Sequence, residues 1–204
     1  DPKNPRLIEA LGSGLFQQER FEEARRHFRH LIELQPRNAM AYTRLAMTSY
    51  ETDRYDEFES ALGLAMEIDP ELPEMLHFMG KMNLDQERHY DAGRIFGKLV
   101  ELEPHNVQNL LALAMCLYRG GQTEAAQDTY ERALQLEPEN EIAQTNLLAI
   151  KKGGSLTETE TEAQESESQP LSELLQEAQA ALEQEDPQRA IALLENMLSQ
   201  QPSE

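Results

Sequence analysis

Tryptophan is absent from this 204-residue chain and aromatic residues make up only 6% of it, so a large aromatic-rich sandwich or barrel core is excluded. There is one cysteine, Cys116, so no internal disulfide framework can form. That usage fits a reducing compartment, the cytoplasm by default. No run approaches the ~18 apolar residues that a membrane-spanning helix needs, and no charged-then-apolar leader opens the chain. Basic residues are scarce: 18 Lys and Arg stand against 38 Asp and Glu, a formal net charge of −20. Nucleic acid and anionic membranes are therefore not expected partners, because phosphates and headgroups would be repelled rather than neutralised.

What the chain has instead is a period. Pro2, Pro36, Pro70, Pro104 and Pro138 stand 34 residues apart. A fixed spacing of that length marks one supersecondary unit in tandem, each copy burying its apolar face against its neighbours. If each phase proline is position 32 of a unit, position 8 reads Gly12, Ala46, Gly80 and Ala114, and position 20 reads Ala24, Phe58, Ala92 and Ala126. Position 24 reads Phe28, Leu62, Phe96 and Tyr130, and position 27 reads Leu31, Ala65, Leu99 and Ala133. Small residues let two helices approach, and the larger ones fill the space between turns. Phe58 is the exception at position 20 and is expected to push its helices slightly apart. The breakers Gln18-Glu19-Arg20, Thr52-Asp53-Arg54, Gln86-Glu87-Arg88 and Gly120-Gly121-Gln122 split each unit into two helices, and the proline ends the second.

A 34-residue helix–turn–helix unit with these small and large positions resembles the tetratricopeptide repeat. The resemblance covers four full units over 5–138. It departs at position 4, often Trp in that family and here Ile8, Tyr42, Leu76 and Leu110. It implies an all-α α-solenoid, a right-handed superhelix of antiparallel helix pairs. The units read 5–38, 39–72, 73–106 and 107–140, followed by a capping helix over 141–152 whose outer face is expected to be polar through Gln144, Asn146 and Lys151. Residues 153–170, rich in Thr, Glu, Ser and Gln, read as an acidic flexible linker. Residues 171–204 read as a detached repeat-like hairpin, with Ala178, Ala190, Leu194 and Met197 at positions 8, 20, 24 and 27.

No residue set assembles a catalytic centre. The five histidines, His27, His30, His77, His89 and His105, lack metal-ligand spacing, and His27 and His30 read as surface residues beside Arg26 and Arg29. Gly12-Ser13-Gly14 has neither the lysine nor the strand of a phosphate loop. Cys116 reads as a buried small hydrophobe, and Glu22-Glu23 as a solvated face supported by Arg25 and Arg26. No cofactor and no metal are expected.

The resemblance also implies a concave groove lined by the first helix of each unit, at positions 2, 5, 9, 12 and 13. These fall on Met40, Thr43, Met47 and Tyr50 in the second unit, on His77, Lys81 and Leu84 in the third, and on Leu111, Met115 and Tyr118 in the fourth. The family's clamp for acidic chaperone C-termini needs Lys, Asn and Arg where this chain has Glu9, Ser13, Arg44, Glu74 and Phe78, so that ligand is not expected. Thioethers and amphipathic rings suit an amphipathic helix or extended peptide instead, because they repack around different shapes. The reading is thus a non-enzymatic protein-interaction scaffold. Two alternatives stay open. Asp1-Pro2 falls in repeat phase, so the segment could be an arm of a larger enzyme, for example a glycosyl- or methyltransferase. The 171–204 hairpin could instead form a homo-oligomer.

Overall fold

The computed structural model describes residues 4–153 together with Ala180, Arg189 and Leu193. The expected linker beyond Gly153 and the 171–204 hairpin otherwise lie outside the described residues. Among these, nine α-helices and no strand occur: α1 (Pro5–Gln17), α2 (Phe21–Leu34), α3 (Ala39–Glu51), α4 (Tyr55–Ile68), α5 (Pro73–Asp85), α6 (His89–Leu102), α7 (Val107–Arg119), α8 (Thr123–Leu136) and α9 (Glu141–Lys151). None is long and apolar enough to cross a membrane.

Helix ends repeat with the sequence period. Asn4, Asn38, Asn106 and Asn140 cap α1, α3, α7 and α9, each side-chain oxygen accepting a backbone N–H two or three residues on. The third unit has Leu72 in that place, and α5 begins on Pro73, whose missing N–H needs no acceptor. Inside each unit the turn is closed by an N–H reaching back across it, as from Arg54 to the Ser49 carbonyl at 2.8 Å and from Gln122 to the Leu117 carbonyl at 2.8 Å. The residue before that N–H is left-handed in every unit: Glu19, Asp53 and Glu87 at φ 57°, 55° and 57°, and Gly121 at 79°. The second helices end two residues before each phase proline, at Leu34, Ile68, Leu102 and Leu136.

The chain forms two compact units that divide between Met75 and Leu76. In the first, α1 packs on α2, α2 on α3 and α3 on α4. Leu15, Ala24, Phe28, Leu31, Ala46 and Ala65 are essentially inaccessible there. Gly12 is also buried, and α1 runs through it without a break. Phe58 is buried despite its size.

In the second unit, α6 packs on α7, α7 on α8 and α8 on α9. One cluster there gathers Leu76, Ala92, Phe96, Leu99, Ala112 and Cys116, and another is built around Leu110, Leu111, Tyr130 and Leu147. The outer face of α9 carries Gln144 and Lys151, but Asn146 departs from expectation. It is fully buried, and its Nδ2 donates to the Tyr130 hydroxyl at 3.2 Å. A buried phenol needs a partner, and the residue one helix away supplies it.

Candidate functional site

The candidate residues lie on first helices, and the packing of each unit decides which of them reach solvent. In the first unit, Met40 and Met47 on α3 are half-buried. Tyr50 is half-buried too, its ring set edge-on to Phe58 at 5.4 Å and to Tyr55 at 6.3 Å between centroids. Thr43 is inaccessible, and its Oγ1 donates to the Ala39 carbonyl at 3.0 Å. Helix α3 is contacted by α1 as well as by α2 and α4.

Beside Met40 lies an open depression of about 750 Å³, lined by Gln35–Met40 with Ile68, Asp69 and Leu72. Its apolar lining is Pro36, Ala39, Met40, Ile68 and Leu72, and Arg37 supplies a cation. Glu74, at a groove position, forms an ion pair with Arg44 at 2.6 Å, so the two charges largely cancel locally.

In the second unit, His77 and Lys81 on α5 are exposed, with the His77 ring edge-on to Phe96 at 5.9 Å. Leu84 is half-buried against the cluster around Phe96. On α7, Leu111 and Met115 are buried, at 1% and 6% exposure, while Tyr118 is half-buried against the cluster around Tyr130. The half-buried and exposed candidates are therefore Met40, Met47, Tyr50, His77, Lys81, Leu84 and Tyr118. Thr43, Leu111 and Met115 present almost no side-chain surface; for the last two, α7 is flanked by α6 and α8 and carries core residues over most of its circumference.

Among the described residues, no group of three or more His, Cys, Asp or Glu side chains is gathered to hold a metal ion. Burial pushes the Cys116 thiol up to about 12, far from a reactive thiolate at neutral pH. His27 is more enclosed than a surface residue, and burial together with the neighbouring His30 lowers its pKa.

Glu22, of the acid pair at the start of α2, is half exposed and paired with Arg25, and it also reaches beyond its own helix. Glu22 accepts from Arg25 at 2.7 Å, within its own helix, and from Arg54 in the next repeat at 2.7 Å. Glu57 on α4 accepts from Arg25 at 2.9 Å, Arg29 at 2.6 Å and the Ser49 hydroxyl at 3.0 Å. Hydrogen bonds from Arg25 and Arg54 hold the Glu22 carboxyl down at about 2. Burial pushes Glu57 up, but its bonds from Arg29, Ser49 and Arg25 outweigh this and leave it below the ordinary glutamate value.

Helix pairs in 34-residue phase, packed small against large and offering half-exposed side chains from their first helices, define a helical-repeat scaffold. Tetratricopeptide repeat models match residues 9–73 and 83–150, together more than half of the chain. The chain belongs to the tetratricopeptide repeat family, whose members are protein-interaction scaffolds.

Its fold is similar to that of YrrB, described as a TPR protein with an unusual peptide-binding site. The identity is 15% and the TM-score 0.58, over 100% of this chain and 89% of that one. Pseudomonas aeruginosa pilF is 17% identical with a TM-score of 0.60, over 95% of this chain and 90% of that one. Yeast Tom70 is 24% identical with a TM-score of 0.61, over 98% of this chain but 41% of that one. Likeness at these identities shows the fold alone. No curated protein matches the chain.

Proposed function

We propose that this chain is a non-catalytic scaffold that binds an amphipathic helix or extended peptide on the first helices of its repeats. The repeats would run 5–38, 39–72, 73–106 and 107–140, closed by the helix at 141–152, in a reducing, cytoplasmic setting. The observation that carries the reading is the side of α3 bearing Met40, Met47 and Tyr50, half-buried where Ala41, Leu45 and Ala46 on the same helix are buried. A strip of two thioethers and a ring, beside a depression whose lining includes Ile68 and Leu72, matches the apolar stripe of a helix or the alternate side chains of a strand. Within the second unit taken by itself, the open candidate positions are His77, Lys81, Leu84 and Tyr118.

The test is selection of a displayed peptide library on the full chain, repeated with Met40→Glu/Met47→Glu after circular dichroism shows that the helices are retained. Peptides kept by the wild type and lost by the variant support the reading. Peptides held equally by both would refute it. Met115→Glu is no substitute as a probe, since a carboxylate at a 6%-exposed position would disturb the packing itself.

A further inference from the structure

The charged set at the start of α2 and α4 has a place that occurs once in the sequence. It joins position 18, 21 and 25 of the first repeat (Glu22, Arg25, Arg29) to positions 16 and 19 of the second (Arg54, Glu57). The signs alternate so that every cation meets a carboxylate. The same positions elsewhere carry a different set. The second repeat has Asp56, Glu59 and Gly63 at the first three positions, and the third has Arg88 and Asp91 at the other two. The third has Tyr90, Gly93 and Gly97, in phase with the uncharged Gln122 and Ala125. In the second unit, a Cβ on Gly93 would lie 3.3 Å from Cβ of Cys116, so that junction is closed by close approach of small residues.

We propose that Glu22, Arg25, Arg29, Arg54 and Glu57 form an electrostatic latch that holds the first repeat on the second and lets ionic strength release α1–α2 as a separate opening unit. Arg25 is central to it. Its side chain is 10% exposed and is shared by Glu22 and Glu57, whose own side chains are 45% and 18% exposed. A guanidinium that enclosed is tolerated only while both carboxylates face it, so the contacts form and break together. Arg29 and Arg54, about half exposed, place the outer pairs within reach of salt. The latch also bears on the proposed binding surface. The depression beside Met40 is lined in part by Gln35, Pro36, Arg37 and Asn38, the connection between α2 and α3, so release of α2 would disturb that lining.

Native-state hydrogen exchange on the full chain, read by mass spectrometry in low and high potassium chloride, tests this. Between about 20 mM and about 1 M salt, where screening falls from long range to contact distance, protection in α1–α2 is expected to drop on the order of tenfold, the equivalent of one partly buried charged hydrogen bond. Protection in α7–α8 should hardly change. Glu57→Gln should lower α1–α2 protection at low salt and remove most of its salt dependence. If that variant unfolds the chain, Arg29→Gln, at a largely exposed position, gives the same reading with a smaller drop. Salt-insensitive protection in α1–α2, or equal loss across all helices, overturns the latch. So does a salt dependence unchanged by Arg29→Gln.

Discussion

A Cβ on Gly12 would lie 2.8 Å from Cε1 of Phe28, inside the distance at which carbon atoms can rest. The relationship recurs one repeat pair later, where a Cβ on Gly80 would meet Cζ of Phe96 at 2.8 Å. The other two repeats combine alanine with Leu62 and with Tyr130 at the matching positions. The glycine is thus matched to the phenylalanine in two repeats, while alanine stands with both a smaller residue, Leu62, and a large ring, Tyr130. Gly12→Ala should gain ~1 kcal/mol of helix propensity but lose ~1–3 kcal/mol to overpacking against a fully buried ring. A net loss of about 1 kcal/mol is expected by urea denaturation. Gly12→Ala/Phe28→Leu, which installs the second repeat's pair, should be less destabilised than the sum of its single changes.

Two exposed positions should respond in the opposite sense. Nothing lies within 4 Å of a Cβ on Gly63, so Gly63→Ala should stabilise by ~0.5–1 kcal/mol through helix propensity alone. Glu87 sits in the left-handed turn at φ 57°, a conformation costing an L-residue ~1 kcal/mol. Glu87→Gly should therefore raise stability modestly in the same assay.

Acid should destabilise the protein in two stages. His27 has a folded pKa below the ordinary 6.5, so the unfolded chain binds its proton first and stability begins to fall below that value. Glu22 and Glu57 are held below the ordinary 4.5, Glu22 down to about 2. Their contribution is complete above 4.5 and is lost as pH falls from there towards 2. Denaturant midpoints measured from pH 8 to pH 2.5 should decline most steeply below 4.5. In Glu57→Gln that lower step should shrink.

The cysteine offers a probe of opening. Cys116 is 2% exposed and its thiol is pushed up to about 12 by burial. Reaction with a thiol-specific disulfide reagent at pH 8 should be slow and should accelerate with denaturant only as the second unit opens. Rapid labelling of the native protein would contradict the packing around α7.

The phase prolines and the small–large alternation made the helix pairs legible, because steric fit within one repeat depends on residues twelve to sixteen apart that recur with the period. The candidate site was legible only as a helix face. Positions 5 and 9 of the repeat are half-open or closed according to how each first helix is flanked, which buries Thr43, Leu111 and Met115 and leaves Met47 partly open. Asn146 read as polar outer surface because its partner, the Tyr130 hydroxyl, lies sixteen residues back. The latch was hidden for a similar reason. Its Arg25–Glu22 pair is visible as an i,i+3 spacing, but the Arg54–Glu22 and Arg25–Glu57 pairs join residues 32 apart.

The most direct test of the scaffold reading uses the methionines as reporters. The chain has eight, of which Met40 and Met47 lie on the proposed strip and Met66 is exposed on α4. With methyl-labelled methionine, titration of a selected amphipathic peptide into the full chain should shift the Met40 and Met47 signals saturably and leave Met66 in place. Saturable binding that moves Met66 and leaves Met40 and Met47 unchanged would contradict the account.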